Sequence, residues 1–257
     1  MTWRRFLART VSECSALRMG RRHRRGFRIL LYHAVGSRLD HDSYGISISP
    51  VLFERHMAIL AAHTGVSIVR LGEGQVSCAA LRVAVTFDDG YKDNLRVAVP
   101  ILLKFKIPFT VFATASFIQD GSKEYLTPSE LRELAALDGV TIGSHGVSHR
   151  RLAECDEATM WEELYGSRSY LEDVIGTAVT ALSYPHGSAN LRVASAAWRA
   201  GYAVGACSRF DINSEGRHPL LLCRSEVLAA DSERVFLQKL HGAWDWSRWR
   251  SRDPALA

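Results

Sequence analysis

The chain has 257 residues, of which 47% are hydrophobic and 23% charged, an ordinary composition for a globular enzyme. It contains no run of about 18 uninterrupted apolar residues, which argues against a membrane-spanning helix. Residues 1–28 hold nine arginines and one acid, a charge of +8, which leaves −3 for the remainder of a chain whose net charge is +5. A mildly acidic body argues against a nucleic-acid-binding domain.

The arginine-rich segment 1–26 is predicted to be a basic extension, because it lacks the apolar core of a secretory signal. It forms either a solvated arm or a short basic helix, and a helix of this kind would bind an anionic membrane surface or a glycan-assembly partner. Five cysteines without a C-x-x-C pair predict reduced thiols. We therefore expect a cytoplasmic protein, peripheral at the inner face of the membrane.

A catalytic domain is expected over residues 27–242, followed by a tryptophan-rich tail at 243–257. The tail is expected to pack against the domain, with a sugar platform or an interfacial anchor as alternatives.

Short apolar runs alternate with amphipathic stretches through the domain, which predicts strands alternating with helices. The predicted strands are residues 27–33, 67–71, 81–87, 109–114, 140–145, 179–185, 202–208 and 224–229. The predicted helices are residues 49–64, 95–106, 127–137, 157–176 and 191–201. This order is typical of parallel β/α units in a barrel or a doubly wound sheet. No G-x-G-x-x-G or Walker-type loop follows a strand, which disfavours a nucleotide-binding sheet.

Polar residues follow several of the apolar runs, at the positions where a barrel carries its catalytic groups. They are His33, Asp88 and Asp89, His145 and His149, the turn at 185–187 and the segment 208–211.

Two of these groups together indicate a metal site. His145 and His149 are four residues apart in SHGVSH, so both imidazoles can reach one ion. Asp88 and Asp89 are adjacent carboxylates, and a cation beside one of them would offset their repulsion. Two imidazoles and one carboxylate leave open coordination positions, as catalytic zinc requires, and the same set suits non-haem iron(II). The second aspartate could then take a proton from water.

Three motifs in this order resemble those of the polysaccharide deacetylases, the fourth carbohydrate esterase family, which includes nodulation-type chitooligosaccharide deacetylases. They are TFDDG (86–90), SHGVSH (144–149) and LSYPHGS (182–188). The resemblance covers about residues 27–242 and implies a single-domain α/β fold, a distorted (β/α) barrel with about seven parallel strands. It also implies removal of acetyl groups from sugars with a bound divalent metal. Zn²⁺ is the first choice, and Co²⁺, Ni²⁺ or Fe²⁺ are alternatives.

The resemblance assigns roles to individual residues. Asp88 is similar to the catalytic base of the family, and Asp89, His145 and His149 are similar to its metal ligands. The backbone N–H of His186 would help to hold the oxyanion of the tetrahedral intermediate.

Two positions depart from the family pattern. Gly146 stands where a loop-stabilising serine or threonine is usual, and Ser183 stands where an arginine often orients the base. Arg224 is the expected substitute for that arginine. The general acid is expected to be His33, because ILLYHAV (29–35) is similar to the poly-N-acetylglucosamine deacetylases, in which this histidine comes early; His241 is the alternative.

The predicted substrate contacts lie after the later strands. They are Tyr184, Pro185 and Gly187 along the groove, and Phe210 and Asp211 as a sugar platform.

The sequence thus predicts a metal-dependent hydrolase that removes N-acetyl or similar groups from amino sugars in exopolysaccharide or cell-envelope glycan biosynthesis. The partner is a carbohydrate substrate rather than nucleic acid. One alternative is a deacetylase or deformylase of a lipid-linked or small-molecule amide. Another is a non-catalytic sugar-binding barrel, which is disfavoured because the base and all three ligands are present.

Overall fold

The computed structural model describes residues 3–19, 25–40, 42–73, 81–250 and 252–256. Its strands are β1 (Gly26–Tyr32), β2 (Ala34–Val35), β3 (Ser47–Ile48), β4 (Val66–Ile68), β5 (Leu81–Phe87), β6 (Phe109–Ala113), β7 (Val140–Ser144), β8 (Ala181–Ser183), β9 (Val204–Ala206) and β10 (Ser225–Glu226). Its α-helices are α1 (Trp3–Met19), α2 (Pro50–Ala62), α3 (Val99–Lys104), α4 (Ala115–Asp120), α5 (Pro128–Ala135), α6 (Glu157–Trp161), α7 (Ser167–Ile175), α8 (Leu191–Arg199) and α9 (Glu233–Leu240).

Seven parallel strands form the wall of the fold, in the order β10-β1-β5-β6-β7-β8-β9. The short strand β4 pairs with the first half of β5, and β2 pairs with β3 in a separate small sheet. A parallel bridge between Ala206 and Leu222 joins the segment before β10 back to β9, so the sheet curls toward closure. The predicted distorted (β/α) barrel in a single domain is therefore confirmed.

Alternation along the strands divides the core into two layers, because successive side chains of a strand point to opposite faces. The outer layer packs strand residues such as Leu30, Val85 and Val111 against the helices. The inner cluster fills the barrel with Phe27, Ile29, Val69, Leu71, Ala84, Phe112, Ala181, Ala206 and Leu222. The inward-facing positions at or just after the ends of the strands are polar. Five of these side chains therefore lie at the mouth of the barrel: His33, Asp88, His145, Ser183 and Arg224.

Several local predictions are confirmed. Ser49 accepts a hydrogen bond from the N–H of Leu52 at the start of α2, and Thr127 and Glu130 form a complete capping box on α5. Gly176 ends α7 in the left-handed conformation. The last three predicted strands are shorter than expected, and α4 and α9 were not predicted.

Two predicted helices are each interrupted by a π-helical turn. The helix expected at 95–106 is a π turn over Asn94–Ala98 followed by α3, which has Pro100 in its first turn. Proline has no N–H to donate, so the hydrogen-bonding pattern changes there. The helix expected at 157–176 is α6, a π turn over Glu162–Gly166 and α7.

The two ends of the chain pack together on the outside of the barrel. In α1, Ser12 accepts a hydrogen bond of 2.9 Å from the indole N–H of Trp246. The C-terminal segment is held by a buried ion pair of 2.7 Å between Arg28 and Asp245. The tail therefore packs against the barrel, as expected. No helix in the described part of the chain has the length and apolar character needed to cross a membrane.

The described cysteines are free thiols: Cys14, Cys155, Cys207 and Cys223. Cys78 lies outside the described residues.

Candidate active site

The ends of β5 and β7 bring the predicted metal ligands together. Nε2 of His145 lies 3.5 Å from Oδ1 of Asp89, and Nε2 of His149 lies 3.4 Å from the same oxygen. One donor atom from each of the three residues lies within 4.8 Å of the other two. This is the spacing that ligands of a single ion require, since zinc binds nitrogen and oxygen donors at about 2.0–2.2 Å.

The polar atoms of this cluster fit a cation. Oδ1 of Asp89 is buried and has no hydrogen-bond partner, and both neighbouring imidazole nitrogens point toward it. Nδ1 of His145 lies 2.8 Å from the carbonyl oxygen of Ser183. A carbonyl only accepts, so Nδ1 carries the proton and Nε2 presents its lone pair to the cluster. Burial is the main cause that lowers the pKa of His149 to about 4, so the His149 imidazole is neutral near pH 7.

Asp88 stands beside this cluster in a separate hydrogen-bond network. Arg224 donates two hydrogen bonds of 2.7 Å, one to each carboxylate oxygen. Ser183 donates from Oγ to Oδ2 at 3.0 Å and accepts from Arg224 at 2.8 Å. Burial opposes ionisation of Asp88, but the adjacent guanidinium of Arg224 outweighs it and holds the pKa of Asp88 well below its usual range.

Backbone strain concentrates at this site. Among the described residues, four other than glycine have positive φ, and three of them are Asp89, His149 and His186, at 73°, 58° and 57°. A left-handed backbone costs free energy in residues with a Cβ, and such strain is typical of functional sites.

The loop that carries His149 is fixed by Glu163, which was not predicted from the sequence. Its buried carboxylate accepts hydrogen bonds of 2.8 and 3.0 Å from the N–H groups of Val147 and Ser148, and a third from the Ser148 hydroxyl. A Cβ at Gly146, whose φ is +76°, would lie 2.9 Å from this carboxylate. Glycine thus allows Glu163 to hold the loop in place of the family's usual hydroxyl.

The sequence contains one indication that Glu163 is buried. It follows the buried Met160 by three residues and precedes the buried Leu164 by one, so it occupies the apolar phase of its helix. An acid in that phase needs internal partners.

The predicted general acids lie at different ends of the barrel. His33 follows β1 directly, and Tyr32 pairs in register with Phe87 on β5, so His33 neighbours Asp88. His241 instead lies 3.2 Å from His63, which follows the C-terminal end of α2. Because α2 leads into β4, that end of the barrel is the one where the strands begin.

The turn after β8 lies next to the metal ligands. The ring of His186 lies 4.4 Å from that of His149, centre to centre. Gly187 approaches Ser208 so closely that a Cβ would lie 2.9 Å from its nitrogen. Pro185 is buried in this turn.

Tyr184 is wrongly predicted as a groove residue. It is fully buried in the outer layer, where its hydroxyl donates to the carbonyl oxygen of Leu220 at 2.7 Å. The reason is alternation: the inner side chain of β8 is Ser183, so the next residue points outward.

The predicted sugar platform at 210–211 has other contacts. The Phe210 ring lies 5.4 Å from Nζ of Lys239, and Asp211 accepts hydrogen bonds from Arg209 and Arg248. Both side chains therefore contact the C-terminal region of the chain.

A wall of three aromatic rings lies beside His149. Phe117 stacks on Tyr125 with ring centres 4.5 Å apart, and its ring lies 6.1 Å from that of His149. Tyr91 adds a third ring, 4.9 Å from Tyr125. Aromatic faces of this kind suit the apolar faces of sugar rings.

Comparison with known proteins agrees with the motifs and the geometry. Residues 79–205 match the family model of the polysaccharide deacetylases. This region of the chain is a polysaccharide deacetylase domain. A curated relative is YxkH of Bacillus subtilis (strain 168), a protein named after the polysaccharide deacetylases. It is 29% identical to this chain over 214 residues, which are 81% of this chain and 74% of YxkH.

Solved structures share the fold. The deacetylase PplD of Streptococcus pyogenes, determined in complex with acetate, has a TM-score of 0.73 and 24% identity, covering 84% of this chain and 98% of PplD. IcaB of Ammonifex degensii has a TM-score of 0.71 and 22% identity, covering 86% of this chain and 98% of IcaB.

Proposed function

We propose that this protein is a metal-dependent hydrolase that removes N-acetyl groups from amino sugars of a polysaccharide or glycan precursor. One observation carries the proposal: the donor atoms of Asp89, His145 and His149 converge within 4.8 Å, next to a second carboxylate that is not part of the triad. Such a triad leaves coordination positions for a substrate and for water.

In this proposal the three residues of the triad would hold a divalent cation, with Zn²⁺ as the first choice for two imidazoles and one carboxylate. When bound, the cation would supply Lewis acidity to the acyl carbonyl and lower the pKa of a neighbouring water. His145 is oriented for this task by the carbonyl of Ser183.

Asp88 would act as the general base. Arg224 and Ser183 occupy three of the roughly four acceptor positions of its carboxylate, which leaves a position on Oδ1 for a water. The same hydrogen bonds fix the orientation of the carboxylate and keep it ionised, so it is ready to accept a proton.

His33 would donate a proton to the departing sugar amine. It lies on the inner side of the barrel beside Asp88, whose N–H donates to the carbonyl of Tyr32 at 3.0 Å. An imidazole needs little tuning to donate a proton near neutral pH. The N–H of His186, in the strained turn beside His149, would stabilise the oxyanion.

The substrate class is supported by the family and by two structural relatives. PplD was determined with acetate, the product that deacetylation releases, and IcaB shares the fold over nearly its whole length. Because ILLYHAV (29–35) resembles the poly-N-acetylglucosamine deacetylases, the proposed role lies in exopolysaccharide or cell-envelope glycan synthesis. The aromatic wall of Phe117 and Tyr125 would stack on a sugar ring beside the acyl group.

A reducing, cytoplasmic location forms part of the proposal. Cys207 and Cys223 are buried side by side, with their thiols hydrogen-bonded, and both are free. Adjacent thiols persist where the compartment keeps them reduced.

The test combines metal analysis with product detection on the purified protein. Acetate release is measured with N-acetylglucosamine oligomers and with lipid-linked N-acetylated sugars, before and after metal removal by a chelator. We expect about one divalent metal per chain, acetate release that stops on chelation, and recovery when Zn²⁺ is restored. Acetate release that survives complete metal removal would contradict the proposed metal dependence. Formate release from the N-formylated counterparts of these sugars, without acetate release from the N-acetylated ones, would identify a deformylase instead.

A further inference from the structure

The helix α1 is amphipathic in an unusual sense: its polar side faces the protein and its apolar side faces solvent. Three side chains of α1 bond to the body of the protein. Arg9 donates to the carbonyl of Ala230 at 3.1 Å, Ser12 accepts from Trp246, and Glu13 accepts from Arg234.

The opposite side of α1 presents an apolar stripe, which we define as Leu7, Val11, Cys14 and Leu17. Three of these side chains are 49%, 44% and 81% exposed (Leu7, Val11 and Leu17), and Cys14 is also exposed. At 3.6 residues per turn the four positions fall within an arc of about 120°, opposite to the arc of the bonded residues. Exposed apolar side chains grouped in one arc of a helix mark an interaction surface.

An exposed tryptophan extends the apolar surface. Trp249 is 81% exposed and lies one turn after Trp246 in the 3₁₀ segment Asp245–Arg250. Residues three apart eclipse one another in a 3₁₀ helix, so Trp249 is on the side of the segment whose indole contacts α1. Tryptophan is enriched where an apolar phase meets water.

The charge of the N-terminal sequence identifies the partner. The sequence has arginines at 4, 5, 9 and 18 and again at 21, 22, 24 and 25. Glu13 is the only acid among residues 1–28, and it is bonded to Arg234. Basic residues near an anionic bilayer contribute about 1 kcal/mol each, whereas two copies of this segment would repel each other.

We propose that the apolar stripe of α1 and Trp249 dock on an anionic phospholipid surface, to which the net positive charge of residues 1–28 attracts the protein. The helix lies in the interface and buries Leu7, Val11 and Leu17 at the level of the acyl boundary. This attachment is independent of the proposed deacetylase chemistry, because α1 contributes none of the groups at the barrel mouth. It would hold the enzyme against the membrane on which a glycan is assembled.

The test is flotation of the full-length protein with vesicles of phosphatidylcholine alone or with 30% phosphatidylglycerol. We expect binding to the anionic vesicles that weakens at high salt, and little binding to the neutral ones. The variant Leu7→Gln/Val11→Gln/Leu17→Gln is expected to bind about tenfold more weakly, because three apolar side chains no longer enter the interface. The matched control is Leu103→Gln/Leu191→Gln, which alters two residues, 49% and 47% exposed, elsewhere on the surface.

Thermal unfolding tests whether the stripe variant is folded, and we expect it to be, because its substitutions are at exposed positions. Light scattering compares the molar mass of the variant with that of the wild type. Equal vesicle binding by the wild type and the stripe variant would overturn the proposal. The proposal would also be overturned if the wild type formed a dimer and bound no vesicles, and if the stripe variant were a monomer. The stripe would then dock on a second copy of the chain.

Discussion

Asp88 and Asp89 are adjacent in sequence but lie in different environments. Asp88 points into a cage of donors formed by Arg224 and Ser183, whereas Asp89 bends away in a left-handed conformation and leaves Oδ1 without a donor. The donors keep Asp88 ionised, and the orphan oxygen of Asp89 suits a cation. The strained backbone at Asp89 therefore separates the proposed base from the proposed ligand.

The two aspartates are expected to respond differently to substitution. Asp88→Asn should abolish turnover while the metal content stays near that of the wild type, because the amide cannot accept a proton but the triad is intact. Asp89→Ala should lose the metal. Activity is measured by acetate release and metal content by mass spectrometry of the purified variants. Full activity and full metal content in Asp89→Ala would rule out its assignment as a ligand.

Substitution also distinguishes the two candidate acids. His33→Gln should lower kcat by about 10²–10⁴-fold with unchanged metal content, because proton donation to the amine is lost. His241→Gln should leave kcat near that of the wild type, since His241 contacts His63 at the far end of the barrel. Steady-state kinetics on the two purified variants provides the measurement, and the opposite ranking would move the acid to His241.

At the scale of elements, the second π turn has a structural task. It widens the helix where Glu163 reaches the backbone of Val147 and Ser148, so the helix after β7 holds the loop that carries His149. A regular helix sequence gives no sign of a π turn, because the same residues fit both forms.

Glu163→Gln is expected to weaken zinc binding about tenfold, because the amide replaces one of the two oxygens that anchor the loop. Zinc affinity is measured by competition with a chromophoric chelator. Glu162→Gln serves as the control, since Glu162 is exposed on the same turn. Equal zinc affinity in both variants would show that Glu163 supports the fold but does not contribute to metal binding.

The contact between α2 and α9 predicts sensitivity to acid. His56 is buried, stacks on Phe236 with ring centres 4.1 Å apart and lies 3.3 Å from the Tyr32 hydroxyl. Burial lowers the pKa of His56 from 6.5 to about 4; the carboxylate of Asp231 partly opposes this shift, and the ammonium of Lys239 adds to it. The unfolded chain therefore binds the proton more readily, and stability falls as the pH drops from about 6.5 to about 4.

Between pH 7.5 and pH 5, this single group should remove about 2 kcal/mol of unfolding free energy. Denaturant unfolding of the wild type and of His56→Gln at the two pH values measures the difference. The variant should lose less stability on acidification than the wild type does. An identical pH dependence in the two proteins would show that other groups are responsible.

At the scale of the whole molecule, one buried ion pair joins distant parts of the chain. Arg28 of β1 forms two hydrogen bonds with Asp245 and a third with Ser225 of β10, and the pair is almost wholly buried. It ties the C-terminal segment, and through Trp246 also α1, to the first and last strands of the barrel.

Asp245→Ala is expected to destabilise the protein by about 3–5 kcal/mol, because it leaves a buried guanidinium unpaired. Arg28→Met/Asp245→Leu should recover much of this loss, since both charges are removed together. The matched control is Asp138→Ala, which breaks an exposed pair with Arg70 and should leave the unfolding midpoint unchanged. Denaturant midpoints measure all three variants. A midpoint for Asp245→Ala equal to that of the control would refute a structural role for the buried pair.

The sequence by itself determined the β/α order, the caps at Ser49 and Thr127, and the family through its three motifs. These features depend on local chemistry: hydrophobic periodicity, capping side chains, and adjacent acids and histidines that stand out from their neighbours. The family resemblance also indicated Arg224 as the partner of Asp88, and the structure brings the two together.

Only the tertiary structure decided which polar residues share a space. Alternation turns Tyr184 into the outer layer and Ser183 toward Asp88, a one-residue difference that the motif LSYPHGS does not reveal. Phe117 approaches His149, and Glu163 approaches its loop, only because parallel strands carry residues distant in sequence to one end of the barrel. Spatial convergence depends on strand order and register, and no single segment of the chain encodes either.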